Sequence, residues 1–236
     1  MRILAFDTST AITAVAVIDG DRVLAEDDSA ASERHGELLL PRITAVLASA
    51  GLALGQLDLV AVGIGPGSFT GLRIGIATAK GLGLATGVRL CGVCSLQALA
   101  RGAGEHAGLV LAAADAGKGE VYAAAYRRHG DALERVLPPT RALPEALGVQ
   151  LRALPALSEP VLLCGAGARR HAEALLAGLG PSAALAAPEL DVIRGRHVAI
   201  EASNGVRAGG TADASSLEPT YLRGSDAKLP DEPLAL

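Results

Sequence analysis

The sequence predicts an α/β protein built from two domains related by duplication. Two observations carry this. A β-meander at the start of the chain reappears near its middle, and the first meander is followed by an amphipathic helix, an apolar strand and a second helix. A similarity spaced at about half the chain length points to two like domains, since a solenoid would repeat every ~20–50 residues. The 236 residues are enough for two ordinary cores. The boundary is expected near "GAGEHAG", Gly102 to Gly108, giving domains at 1–104 and 105–236.

The first meander reads as "RILAFDTS", then "AVAVID", an Asp19-Gly20 turn and "DRVLAE", short apolar strands joined by a hairpin signal. In "HGELLLPRITAVLASAG", Leu39, Ile43, Val46, Leu47 and Ala50 recur at helical spacing, and Gly51 is a suitable stop. The strand "LDLVAVGIG" comes next. After it the loop "GIGPGSFTGLRIG" leads into a helix "LRIGIATAKGLGLATG", with Ser68 or Thr70 as the candidate cap. The second meander is "LVLAAADAGKGEVYAAAYRRHGDALERV": a strand ending at Asp115, a turn through Gly117 and Gly119, a strand from Val121 to Tyr126, a turn near Gly130 and a third strand. "RAGGTADASSLEP" reads as loop and "LPDEPLAL" as a mobile tail.

The glycine-rich loop poses a choice between holding phosphate and turning the chain. Free N–H groups at a helix N-terminus suit an anion. A P-loop, however, needs Lys and a hydroxyl residue after its last Gly, whereas Leu72 and Arg73 follow Gly71, and no G-x-G-x-x-G fits. A tight turn is the better reading. In the helix beyond, Gly71, Gly75, Ala79 and Gly83 lie on one i, i+4 ridge, each Gly costing up to ~1 kcal/mol against Ala. Such a ridge lets another backbone approach closely, and packing on the helix's own sheet is the commoner reason for it.

Composition excludes several classes. No apolar run reaches the ~18 residues of a membrane span, and the opening "MRILAFD" has an Asp where a secretory leader is still apolar, so a cytoplasmic protein is expected. Cys91, Cys94 and Cys164 are too few for a disulfide framework; "CGVC" admits a redox pair, but small buried residues at a strand end explain it as well. A formal charge of −4, no Trp, three Tyr and two Phe argue against independent nucleic-acid binding. His35 is followed four residues later by Leu39, and His106, His129, His171 and His197 are scattered, so no helical metal pair forms and no bound metal is expected.

The strand ending in Asp7, with Thr8, Ser9 and Thr10 in the turn, is matched by the strand ending in Asp115 before Gly117. This is the layout of duplicated ATP-binding folds of the actin and sugar-kinase type, in which two hairpins hold phosphates across an interdomain cleft. The plainer alternative is that each side chain satisfies turn N–H groups. "LLCGAGARRHAEALL" supplies Gly165 and Gly167 before a helix, a loose match to an adenosine clamp. An ATP-dependent transferase or kinase using Asp7 and Asp115 is therefore one reading.

"ILAFDTST", "ERHGELLLP", "GIGPGSFTGLRIGIATAKGL", "ADAGKGEVYAAAY" and "EPTYLR" (218–223) resemble, in order and position along nearly the whole chain, the bacterial TsaB (YeaZ) family. The resemblance implies a duplicated actin-like (ASKHA, ribonuclease H-like) fold. It implies a non-catalytic paralogue of the transferase subunit TsaD within the machinery that makes N6-threonylcarbamoyladenosine at position 37 of tRNAs. TsaD carries ATP and a metal on a His-x-x-x-His helix, which His35 and Leu39 do not reproduce. The implied partners are TsaD and the ATPase TsaE, with tRNA met only through the complex, no cofactor and no membrane.

The family's pairing surface is formed by two helices, here Leu38 to Ala50 and Leu72 to Thr86. This implies interface roles for His35, Leu38, Leu39, Arg42, Ile43 and Val46 on the first helix, and for Gly71, Leu72, Gly75, Ile76, Ala79 and Gly83 on the second. It reverses the reading of the glycine ridge, leaves Asp7, Thr8, Ser9, Asp115 and Gly117 as vestigial nucleotide loops, and implies a homodimer when the chain is alone.

Overall fold

The computed structural model describes residues 1–30, 34–104, 106, 108–153, 159–209 and 217–222. The first meander is β1 (Arg2–Asp7), β2 (Ile12–Asp19) and β3 (Arg22–Ala30), followed by α1 (His35–Ser49), β4 (Leu59–Gly63), α2 (Phe69–Thr86), β5 (Arg89–Val93) and α3 (Ser95–Gly102). The second half repeats the order as β6 (Leu109–Gly117), β7 (Glu120–His129), β8 (Ala132–Ala142), α4 (Pro144–Arg152), β9 (Val161–Cys164), α5 (Ala166–Arg170), α6 (Ala172–Leu179), β10 (Ala183–Leu185) and α7 (Gly195–Arg207).

The duplication is visible in the sheets. One runs β3-β2-β1-β4-β5 and the other β8-β7-β6-β9-β10; in each, the first three strands are antiparallel and the last two extend the sheet in parallel. The central strands β1 and β4 are buried on both faces, which is why they read as unbroken apolar runs, whereas the edge strand β3 is half-exposed and carries Glu26, Asp27 and Asp28. The first hairpin closes one residue later than its sequence signal. Asp19 pairs with Arg22, so Gly20, at φ +61°, and Asp21 form the loop. In the second, Lys118 and Gly119 both take positive φ, as a type I′ turn demands.

Three cores follow from this arrangement. α1 and α2 cover the outer face of the first sheet, with Leu39, Ile43, Ile76 and Ala79 packed on Leu4, Phe6 and Val62. α4 and α6 cover the second sheet equivalently through Leu147, Leu151 and Leu175. The inner faces share one continuous core, in which Ile3, Ala5 and Ala61 meet Val110, Ala112 and Tyr126 through α3 and α7.

α7 comes from the second half of the chain but seats on the first sheet. Its N-terminal Gly195 lies so close to β2 that a Cβ there would sit 2.5 Å from the Ala16 nitrogen, and its N–H donates to Asp28 Oδ1 at 2.9 Å. Arg194 and Arg196 face Asp28 and Glu26, at 3.8 and 3.3 Å. Residues 210–216 of the loop reading and the whole tail, 229–236, lie outside the described residues. Among the described residues no helix is long and apolar enough to cross a membrane.

Seating α7 also buries His197, whose ring packs against Gly102 and whose Nδ1 finds no partner among the described residues. Burial, reinforced by Arg196, Arg194, Arg101 and Arg128, pushes its pKa down from 6.5 to about 4. The unfolded chain therefore takes up a proton below pH ~6.5 that the folded chain refuses until about pH 4. Stability from this group is complete above pH 6.5 and is lost as pH falls through that window, by up to roughly 3 kcal/mol. Urea titrations across the window should show this slope flattened in His197→Gln; an unchanged slope would place the acid sensitivity elsewhere.

Candidate functional site

The β1–β2 and β6–β7 hairpins face each other across a cavity of about 400 Å3. Ser9, Thr10, Gly67 and Ser68 line it from the first half, and Ala114, Asp115, Ala166 and Asp191 from the second. The structure thus brings both predicted turns to one cleft but treats their carboxylates differently.

Asp7 does not line the cleft. It is buried, and its carboxylate is occupied on both oxygens: Oδ1 accepts from the Ser9 N–H at 2.7 Å and the Ser9 hydroxyl at 2.6 Å, and Oδ2 accepts from the Ser95 hydroxyl at 2.6 Å. A Cβ on Gly63 would meet Oδ2 at 1.8 Å, so β4 passes directly beneath it. Thr8 is also buried and donates to the Gly71 carbonyl at 2.7 Å. These residues tie the end of β1 to the starts of α2 and α3.

Asp115 does border the cleft. Its Oδ1 accepts from the Gly117 N–H at 2.8 Å and its Oδ2 pairs with Arg170. Burial raises its pKa, but the Gly117 N–H and the Arg170 guanidinium together outweigh that and hold the carboxyl below its usual value. Asp191 is also spent on internal partners, accepting from the Gly165 N–H at 2.8 Å and from Arg169 Nε at 2.7 Å. The Gly165–Gly167 turn is therefore latched to an Asp 26 residues away. No sequence spacing marks Asp191 as a cleft residue, or Arg169 and Arg170 as partners of the cleft carboxylates, because they meet only in space.

The loop before α2 turns the chain. Ser68 is the helix N-cap, accepting from the Gly71 N–H at 3.2 Å, and its own N–H donates to the Ser9 carbonyl at 2.8 Å. A Cβ on Gly67 would sit 2.4 Å from that carbonyl, so the glycine is required by the close approach. The Cys91 and Cys94 pair does not suit a disulfide. Strand β5 and the extended Cys94 place their Cα atoms about 10 Å apart, beyond the ~7 Å a bridge spans. Cys164 is fully buried and its thiol is pushed up to about 12.

The helix pair differs most from expectation. Leu39, Ile43, Val46, Leu72, Ile76 and Ala79 are all buried in the protein's own core, and Leu38 is only half-buried. His35 Nδ1 lies 2.6 Å from the Thr13 hydroxyl, and Arg42 donates to the carbonyls of Thr13, Ser29 and Ala30 at the edge of the sheet. The glycine ridge also faces inward: a Cβ at Gly71 would lie 1.9 Å from the Thr8 carbonyl oxygen, at Gly75 2.6 Å from Thr8 Oγ1, and at Gly83 3.2 Å from Leu90. The residues assigned to a partner therefore hold α1 and α2 on their own sheet. The opposite faces carry Leu40, 53% exposed, and Leu84, 84% exposed, and among the described residues Gly81 has open space beside it.

Two halves with one strand order, sharing a core and facing hairpins across a cleft, define the actin-like (ASKHA) class. The ROK hexokinase of Thermus thermophilus superposes with a TM-score of 0.52 at 16% identity, over 88% of this chain and 100% of that one, a likeness of fold alone. The profile of the family described as "TsaD: tRNA N6-adenosine threonylcarbamoyltransferase" matches residues 28–212. YeaZ from Pseudomonas aeruginosa superposes with a TM-score of 0.83 at 30% identity, covering 94% of this chain and 99% of that one. The chain belongs to the TsaB (YeaZ) family. The tRNA threonylcarbamoyladenosine biosynthesis protein TsaB of Escherichia coli is 42% identical over 147 residues, 59% of this chain and 63% of that protein, so the alignment spans less than two thirds of that relative. The protein of the same name in Bacillus subtilis is 29% identical over 228 residues, 97% of this chain and 96% of that one.

Proposed function

We propose that this chain is a non-catalytic pairing subunit in the cytoplasmic biosynthesis of tRNA N6-threonylcarbamoyladenosine, binding and activating a TsaD-type transferase subunit. The observation that carries the reading is the contrast between cleft and helices. The carboxylates of Asp7, Asp115 and Asp191 are all spent on internal partners, whereas the outer face of α2 leaves Leu84 almost fully exposed beside the small residues Ala77, Gly81 and Ala85. Small residues let a partner helix approach, and a large exposed apolar side chain beside them supplies area to bury. Family membership supplies the pathway, and the same face serves a homodimer when the partner is missing. TsaE and tRNA then act through the complex and not through a site on this chain.

The rival reading, an ATP-dependent transferase using Asp7 and Asp115, needs carboxylates free to hold metal or activate an acceptor. Asp7 accepts three hydrogen bonds outside the cleft, and Asp115 is paired with Arg170. Mixing the chain with cognate TsaD and following binding calorimetrically tests the proposal. Leu84→Glu, which places a charge where burial is worth about 2 kcal/mol, should abolish pairing while leaving the fold intact. Wild-type affinity in that variant, together with micromolar Mg-ATP binding by the isolated chain, would favour the enzyme.

A further inference from the structure

Aromatic side chains are scarce in this chain: three Tyr, two Phe and no Trp. Phe6, Tyr122 and Tyr126 are buried. The other two, Phe69 in the first turn of α2 and Tyr221 in the segment near the C-terminus, are 47% and 44% exposed and stand side by side, ring centroids 5.2 Å apart. Arg73 joins them. Its guanidinium stacks 3.8 Å above the Phe69 ring, and its Nε donates to the Tyr221 hydroxyl at 3.1 Å.

Tyr221 is held in place by the segment that carries it. Leu217 is buried in the outer core of the first sheet, and the Thr220 N–H donates to the Ile64 carbonyl at 2.7 Å. The stack holds Arg73 in turn; the residue is exposed, and among the described residues no hydrogen bond takes its two terminal nitrogens, a planar fork matched to a carboxylate. Among the described residues no carboxylate lies within ion-pair reach of Arg73 or of Lys80, the only charged residues on α2, and α2 carries no acidic residue. Phe69, Arg73, Ala77, Lys80 and Leu84 follow one another at spacings of four and three, so they form a single stripe on one helix face.

We infer that the pairing face of α2 extends over the Phe69–Arg73–Tyr221 cluster onto the C-terminal segment, and that it receives an acidic stretch of the TsaD-type partner, a carboxylate docking on Arg73 between the two rings. This rests on the pairing reading above and adds to it the partner's chemistry and a second element of the interface. A preorganised Arg flanked by aromatic rings has the composition of a binding hot spot, and a stripe that carries no acid and whose cations meet none among the described residues selects an acidic partner face.

The test is calorimetric titration of the full chain into cognate TsaD at low and high salt, with melting curves to confirm that each variant is folded. Arg73→Met and Tyr221→Ala are each expected to raise Kd about tenfold or more. Arg73→Met should also remove much of the salt dependence, and Arg73→Lys, which keeps the charge but loses the fork, should recover only part of the affinity. Wild-type Kd and salt dependence in Arg73→Met and Tyr221→Ala, with pairing abolished in Leu84→Glu, would overturn the extension and leave the pairing reading standing. Unimpaired binding by Leu84→Glu would overturn the pairing reading itself. If Arg73→Met bound TsaD normally but the complex lost affinity for tRNA, the cluster would be a nucleic-acid contact and the inference would fall.

Discussion

Gly71→Ala is expected to destabilise the protein by about 3 kcal/mol or more, a large part of the ~5–15 kcal/mol that holds a domain of ordinary stability folded. A Cβ at this position would lie 1.9 Å from the Thr8 carbonyl oxygen, a backbone atom that has no rotamer with which to yield. Relief requires α2 to lift from the end of β1. That breaks the 2.7 Å bond from the Thr8 hydroxyl to the Gly71 carbonyl and disturbs the turn in which Ser9 and Ser95 hold Asp7. Gly81→Ala on the same helix makes the contrast. Among the described residues nothing lies within 4 Å of its new Cβ, so helix propensity decides, and a gain of up to ~1 kcal/mol is expected. Urea unfolding of both variants measures the pair, and comparable stabilities would mean that α2 does not sit on the Asp7 turn as described.

The second large effect lies where α3, α7 and the β7–β8 turn meet. Glu201 Oε1 accepts from Arg101 at 2.5 Å, the pair has side-chain exposures of 4% and 3%, and the Arg101 guanidinium also donates to the Asp131 carbonyl at 2.6 Å. Gln97 binds the other Glu201 oxygen. Glu201→Ala strands the Arg101 charge in the shared core, and the expected loss is about 3–5 kcal/mol. Replacing both partners, as in Arg101→Met with Glu201→Leu, should cost less than either single truncation, because no charge is then left unpaired. A double variant as unstable as the sum of the singles would show that the pair does not act as a unit.

The duplicated sheets were legible because strand alternation, hairpin glycines and apolar runs report local backbone state, and both halves repeat them in one order. The central strands read as continuous apolar runs because both faces are covered. The orientation of the helices was less legible. Helical periodicity places Leu39, Ile43 and Val46 on one face of α1, but that face is the core, and the resemblance assigned it to a partner. The glycine ridge of α2 is compatible with either neighbour on spacing alone; only the distances from Gly71 and Gly75 to Thr8 decide that it faces its own sheet. The outward residues Leu40 and Leu84 appear in the sequence merely as apolar positions out of phase. The cleft was half legible. The paired turns at Asp7 and Asp115 announce it, but the partners that neutralise it, Arg170 for Asp115 and Arg169 for Asp191, come from elements 55 and 22 residues away. The Phe69–Arg73–Tyr221 cluster joins residues 148 apart and leaves no local signal.

The most direct measurement is the mass of the species formed when this chain and its cognate TsaD are combined, by size-exclusion chromatography with light scattering. A one-to-one complex that replaces the homodimer of the isolated chain, and that Leu84→Glu fails to form, is the expected result. Two folded proteins eluting separately at micromolar concentrations would contradict the pairing function and direct attention back to the cleft.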